Sequence, residues 1–236
     1  MSYPLYIIFG VLPSIIWLLF YLRKDVHPES NQMVLKIFFY GMLAALPAAF
    51  LQMGIFQEVG KLNLSPFLIV VLNTFIGVAL IEEVLKYLVV REKVISSPEF
   101  DEPIDAMLYM IIAALGFAAL ENILILFRLG PAFLFGQVLG ISALRFLGAT
   151  FLHALCSGTV GYFLALSFFE IKKRVKLLSF GLGISILLHG LYNFSIIEIE
   201  GSLRFLIPGI ILIGLAIFVS LGFKRLQKLA SVCRIE

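Results

Sequence analysis

Charge is what this chain has least of. Only 14% of its 236 residues are Asp, Glu, Lys or Arg, against roughly 25% in a soluble domain. With 61% apolar residues and 23 phenylalanines, the chain cannot coat a globule of its own size, because a soluble fold needs a polar skin. That shortage excludes a soluble enzyme, a nucleic-acid-binding module and a disordered chain. Cysteine is also scarce. Cys156 lies in an apolar stretch and Cys233 in the C-terminal tail, so they form no disulfide framework and read as inert thiols. There is no internal repeat, and no linker is long enough to separate domains. The net charge of +3 identifies no partner until the charges are placed. A mean hydropathy of +1.05 leaves an integral membrane protein whose partner is the lipid bilayer, with one transmembrane domain over residues 1–236.

A helix crossing a bilayer needs roughly 20 mostly apolar residues. Seven stretches qualify: Tyr3–Leu22, Val34–Phe56, Pro66–Val90, Ile104–Phe127, about Val138–Phe169, Leu177–Ile197 and Leu203–Phe223. The fifth exceeds one perpendicular crossing, so it tilts, projects into water or begins later. The runs are too long for strands and lack alternation. Lipid demands that backbone hydrogen bonds close internally, so the expected fold is all-α, a seven-helix transmembrane bundle. The first stretch has no basic residue before it and no small-residue cleavage site after it, and reads as a retained span. Thirteen basic residues alternate onto one side: Arg23, Lys24, Lys36, Arg91, Lys93, Lys172, Lys173, Arg174, Lys176, Lys224, Arg225, Lys228 and Arg234. Only Lys61, Arg128 and Arg204 fall on the other. This asymmetry places the N-terminus outside and the C-terminus in the cytoplasm.

Ionisable groups at membrane depth cost about 2.5–3.5 kcal/mol each on insertion scales, so each asks for a function. Span three carries Glu82, Glu83 and Lys86, span four Glu121 and Asn122, span five Arg145 and His153, span six His189 and Asn193. Glu82 and Lys86 lie one turn apart on a face where they can pair. Glu83 sits about 100° round the helix, so one carboxylate is free to face the bundle interior while the other meets Lys86. His189 and Asn193 have the same one-turn spacing and are expected to point the same way. Counted from the basic ends of their spans, Glu121, His153, His189 and Asn193 lie about 12 to 17 residues deep, and the glutamate pair about 7 to 8. Extension of the third helix to Lys93 would remove that mismatch.

Carboxylates, imidazoles and a carboxamide sharing one pocket suit hydrolysis in two ways. A glutamate takes a proton from water while a histidine orients it and an amide donates to the oxyanion. Alternatively the glutamate and histidines, with Glu83, His153 and His189 as the candidate ligands, hold one zinc ion that acidifies the water. A non-enzymatic carrier or binding protein would also place such groups at mid-membrane, although carriers show inverted repeats that are not found here. Several residues have simpler roles. Arg145 is read as reaching the interface or pairing with a carboxylate, and Glu121 with Asn122 as either packing glue or part of the site. Glu102 and Asp105 flank Pro103 and suit the cap of span four. Ala113, Gly116 and Ala119, and likewise Gly158 and Gly161, recur every three positions and read as close helix packing. Cys156 and Ser157, next to His153, lack a nucleophile's supporting context.

Five segments in order resemble the PrsW family of intramembrane proteases: Glu82-Glu83-Val84-Leu85-Lys86-Tyr87, Phe100-Asp101-Glu102-Pro103-Ile104-Asp105, Leu115 to Asn122, His153-Ala154-Leu155, and Leu188-His189-Gly190-Leu191-Tyr192-Asn193. The likeness covers roughly residues 75–195, within a catalytic core of about 66–197. The family is similar to the CAAX-processing endopeptidases and bacteriocin-immunity proteins. Lys86 stands where that branch has Arg one position later, which fits the PrsW branch. The resemblance implies a membrane peptidase of a prokaryotic cell. Glu82 or Glu83, with His153, would activate water, with Glu121 also at the site, and His189 and Asn193 would hold the oxyanion. It implies a single-span substrate resembling an anti-sigma factor, cut on the outer side, and leaves open whether a divalent metal is involved.

Overall fold

The computed structural model describes residues 3–25, 27–129 and 134–233. Its seven long helices are each apolar enough to cross a membrane. They are α1 (Tyr3–Leu22), α2 (Asn31–Lys61), α3 (Pro66–Lys93), α4 (Pro103–Leu129), α5 (Phe135–Phe169), α6 (Arg174–Glu198) and α7 (Leu203–Cys233). No strand occurs among the described residues. Ser30 caps α2 by accepting from the Met33 amide, and Ser65 caps α3 ahead of Pro66 at its first turn, where proline loses nothing for want of an N–H. Gly201, with φ +70°, makes the α6–α7 turn, a conformation that only glycine enters without strain. Arg234 and the side chain of Cys233 lie outside the described residues.

Helix α4 forms the axis of the bundle. It is buried almost continuously from Ile104 to Ala119 and packs against α1, α2 and α5. Lipid tails are as apolar as leucine, so helices associate by close packing rather than by hydrophobic exclusion. The small residues read as packing sites do this. A Cβ on Gly116 would sit 1.9 Å from the Phe38 carbonyl of α2, and one on Gly161 would sit 2.5 Å from the Ala106 carbonyl of α4. Outward faces carry bare aliphatics, such as Ile210, Ile213 and Ile217 on α7.

Two helices change pitch. Asn73–Leu80 of α3 and Phe146–Thr150 of α5 are π-helical, a form concentrated at functional sites. Helix α3 runs on to Lys93, which removes the depth mismatch of the glutamate pair. Helix α5 is continuous from Phe135 to Phe169, beginning before Val138, so the alternative in which the fifth stretch starts later does not hold.

The α1–α2 and α3–α4 connections meet at one end of the bundle, called here the basic end because Arg23, Lys24, Arg91 and Lys93 gather there. Ser30 donates to Glu99 at 2.6 Å, His27 meets Glu102 at 3.0 Å, and Tyr109 of α4 donates to Glu29. Asp105 accepts from the Asp101 and Glu102 amides at 3.0 and 2.7 Å, half of a capping box. Burial, helped by the nearby Asp105 and Asp25 charges, pushes the Glu29 carboxyl up to about 8. Its folded value is above its unfolded one, so the native state holds the proton more tightly. Glu29 therefore contributes stability that is complete below pH about 4.5 and lost as pH rises through about 8. Thermal unfolding in detergent should show Tm falling across that window in the wild type, and Glu29→Gln should flatten it. An equal fall in the variant would remove Glu29 as the cause.

Candidate active site

Four helices converge on one buried cluster. Helix α3 brings Glu82, Glu83 and Lys86, α4 brings Glu121, α5 brings His153, and α6 brings His189. Glu82, Glu83, Lys86, His153 and His189 are each no more than 2% exposed. The His153 and His189 rings stand edge to face with centroids 5.0 Å apart.

Glu83 is fully engaged. Its Oε1 accepts from Lys86 Nζ at 2.6 Å and meets His189 Nδ1 at 2.8 Å, while its Oε2 accepts from Ser157 at 3.1 Å. Lys86 therefore pairs with Glu83, three residues away, and not with Glu82, so one carboxylate meets the lysine and the other does not. Both three- and four-residue spacings share a helix face, and the Ser157 and His189 contacts fix Glu83 as the partner. The lysine also approaches His153 Nδ1 at 3.0 Å and lies over the Phe117 ring. An ammonium has only donors, so His153 accepts at Nδ1 and donates from Nε2, which meets Glu121 Oε2 at 3.0 Å. In the same way the Glu83 contact makes His189 a donor at Nδ1 and leaves the Nε2 lone pair bare.

Glu82 is placed differently. Gln52 of α2 donates to its Oε1 at 2.9 Å. Its Oε2 is buried and accepts no hydrogen bond from the described residues, and it faces His153 Nδ1 at 3.7 Å and His189 Nε2 at 3.9 Å. Two lone-pair atoms directed at one point, the carboxylate oxygen and His189 Nε2, are satisfied by a proton donor or a cation between them. Glu82, His153 and His189 offer ligand atoms within 4.8 Å of one another, and one carboxylate with two imidazoles is a donor set that zinc takes in hydrolases. The residues thus fit a metal, with Glu82 in the position that the sequence reading gave to Glu83. An ion on His153 Nδ1 would displace Lys86, which then turns wholly to Glu83.

Glu121 joins this cluster to a second one. Arg145 donates to Glu121 Oε2 at 2.8 Å and also to Asn122, so it pairs with a carboxylate. Asn122 in turn donates to the Gly10 carbonyl at 3.2 Å and Thr150 at 3.1 Å, tying α1, α4 and α5. In a strict α-helix, residues 145 and 153 would point about 80° apart. The wider ring of the π turn between them takes up some of that angle, and both side chains reach one carboxylate. Asn193 stands apart from the carboxylates. One turn beyond His189, it lines two clefts on either side of α6. Sequence reasoning missed Gln52, in a span with no other polar signal at that depth, and the support that Ser157 gives Glu83.

The model of a family described as PrsW family intramembrane metalloprotease matches residues 29–223. Protease PrsW of Geobacillus kaustophilus is 33% identical over 193 residues, covering 81% of this chain and 79% of the relative. Protease PrsW of Bacillus subtilis is 31% identical over 201 residues, covering 84% and 86%. Protease PrsW of Oceanobacillus iheyensis is 29% identical, covering 86% and 88%. No solved structure matches. The chain belongs to the PrsW family. It is a peptidase and a multi-pass membrane protein of prokaryotic type, which sets aside the carrier and immunity readings.

Proposed function

We propose that the chain hydrolyses a peptide bond in a single-span membrane protein of the anti-sigma-factor kind, near the end of the bundle opposite the basic loops. That end is read as outer because the basic loops mark the cytoplasmic side. The observation that carries the reading is Glu82 Oε2, a buried carboxylate oxygen with no hydrogen bond from the described residues, aimed at the same point as His189 Nε2.

Water held at that point gives its proton to Glu82 as its oxygen attacks the scissile carbonyl carbon. Glu83 fixes the His189 tautomer through Nδ1, so Nε2 accepts the second water hydrogen. Lys86 neutralises Glu83 and, with Glu121, holds the His153 ring. Asn193 donates to the carbonyl oxygen as it becomes an oxyanion. Glu82 then returns the proton to the amine nitrogen, and the C–N bond breaks. A divalent ion held by Glu82, His153 and His189 would supply Lewis acidity to the same water.

The full chain in liposomes should cut single-span substrates of this kind. A strong chelator should stop cleavage, added zinc should restore it, and metal analysis should find about one zinc per chain. Cleavage that persists in metal-free protein would overturn the ion and leave Glu82 as an unaided base. No cleavage of any single-span protein would overturn the substrate reading.

A further inference from the structure

A cleft of about 460 Å³ lies between α5, α6 and α7, a size that accommodates a drug-sized ligand. Its rim is bare apolar surface: Leu144 is 73% exposed and Phe205 72%. At membrane depth such a rim faces lipid, so a chain in the bilayer reaches the cleft without crossing water. Its walls include Arg145 and Asn193. The Asn193 amide has no hydrogen-bond partner among the described residues. Arg145 is the last link of a path from the cleft to the buried cluster, through Glu121 Oε2 to His153 Nε2 at 2.8 and 3.0 Å. The α5 and α6 walls of the cleft approach closely at a glycine. A Cβ on Gly148 would sit 2.4 Å from the Tyr192 hydroxyl.

We propose that this cleft receives the substrate as an unwound, extended stretch, with Arg145 and Asn193 bonding its main chain and the apolar rim taking its side chains. The proposal rests on the proteolytic reading above and adds where, and in what conformation, the substrate binds. A helical segment has no free carbonyl to offer for attack, so the bond to be cut lies in an unwound stretch. Unwinding within the membrane exposes N–H and C=O groups that lipid cannot satisfy, at several kcal/mol each. Asn193 supplies both a donor and an acceptor, and Arg145 has donors left beyond its Glu121 contact. A cleft built for acyl chains alone would have no use for either side chain. The competing occupant is a phospholipid with its phosphate on Arg145.

Two glycines of α7 make a matched test in the full chain. A Cβ on Gly209 or Gly214 meets nothing within 4 Å, so either position tolerates a large side chain. Gly209 lines this cleft, whereas Gly214 lines a separate one beside Phe163 and Phe218, apolar but for Thr159. In liposomes Gly209→Trp should lower kcat/KM for a single-span substrate by roughly 100-fold, mainly through KM, and Gly214→Trp should leave it near wild type. A photo-crosslinking residue at Phe205, in a chain also carrying Glu82→Gln, should capture the substrate beside its cleavage point. If the wild type cuts while Gly209→Trp cuts as well as Gly214→Trp, the cleft assignment is overturned and the protease reading stands. Capture of phospholipid alone overturns it in favour of a lipid site. A wild type that cuts nothing overturns both.

Discussion

Glu82→Gln should abolish proteolysis, with kcat falling by roughly 10²- to 10⁴-fold, while Tm in detergent stays level or rises. The two results belong together. Glutamine cannot take a proton from water, so the chemical step is lost. In metal-free protein the fold loses little, because among the described residues no lysine or arginine pairs with Glu82 and its Oε2 accepts no hydrogen bond, and Gln52 can still donate to the amide oxygen at that position.

The neighbouring change separates the two carboxylates. Glu83→Gln removes the counter-charge of a lysine that is wholly buried, and breaking a buried pair costs about 3–5 kcal/mol. Its activity should fall together with its Tm. Had the assignments been reversed, Glu83→Gln would be the stable, inactive variant and Glu82→Gln the unstable one. Measuring Tm beside turnover therefore names the base, which turnover alone would not do.

The span pattern was legible because lipid imposes it: seven apolar runs became seven helices, with ends shifted by up to ten residues, as where the last helix runs on from Phe223 to Cys233. The site was legible for the same reason, since an ionisable residue at membrane depth stands out against leucine and phenylalanine. Glu82, Glu83, Glu121, His153 and His189, from four helices, share one cluster. Their pairings were not legible. Lys86 could reach Glu82 or Glu83 by spacing alone, and the choice was made by Ser157 and His189, contacts that cross between helices. Asn193 shares a helix face with His189 by periodicity, yet one turn along α6 carries it past the buried cluster and into the clefts. Gln52 carries no charge and sits on a helix without a signature, so only the packing of α2 against α3 revealed it. The π turns leave no mark in a reading based on 3.6-residue periodicity, although the second lets Arg145 and His153 meet one carboxylate.

Lys86→Met should be the most destabilising substitution at the site, by about 3–5 kcal/mol. Lys86 Nζ is 2.6 Å from Glu83 Oε1 and 3.0 Å from His153 Nδ1, with both partners at no more than 2% exposure. Methionine fills much the same volume, so the loss is electrostatic: it leaves the Glu83 carboxylate buried with only Ser157 and His189 to bond it. Adding Glu83→Gln should restore most of the lost Tm, since the pair is then replaced on both sides and no charge is stranded. The coupling between the two positions should exceed the roughly 0.5–3 kcal/mol usual for residues in contact, because each single change is costly and the double change is not. Activity should stay low in the double variant, because His153 has lost the donor that fixes its tautomer and a neutral carboxamide in place of the Glu83 carboxylate holds His189 without a charge. Tm unchanged in Lys86→Met would show that some other group neutralises Glu83. Full activity in the double variant would show that the lysine–glutamate pair serves the fold alone, with the catalytic histidines held by Glu121 and packing.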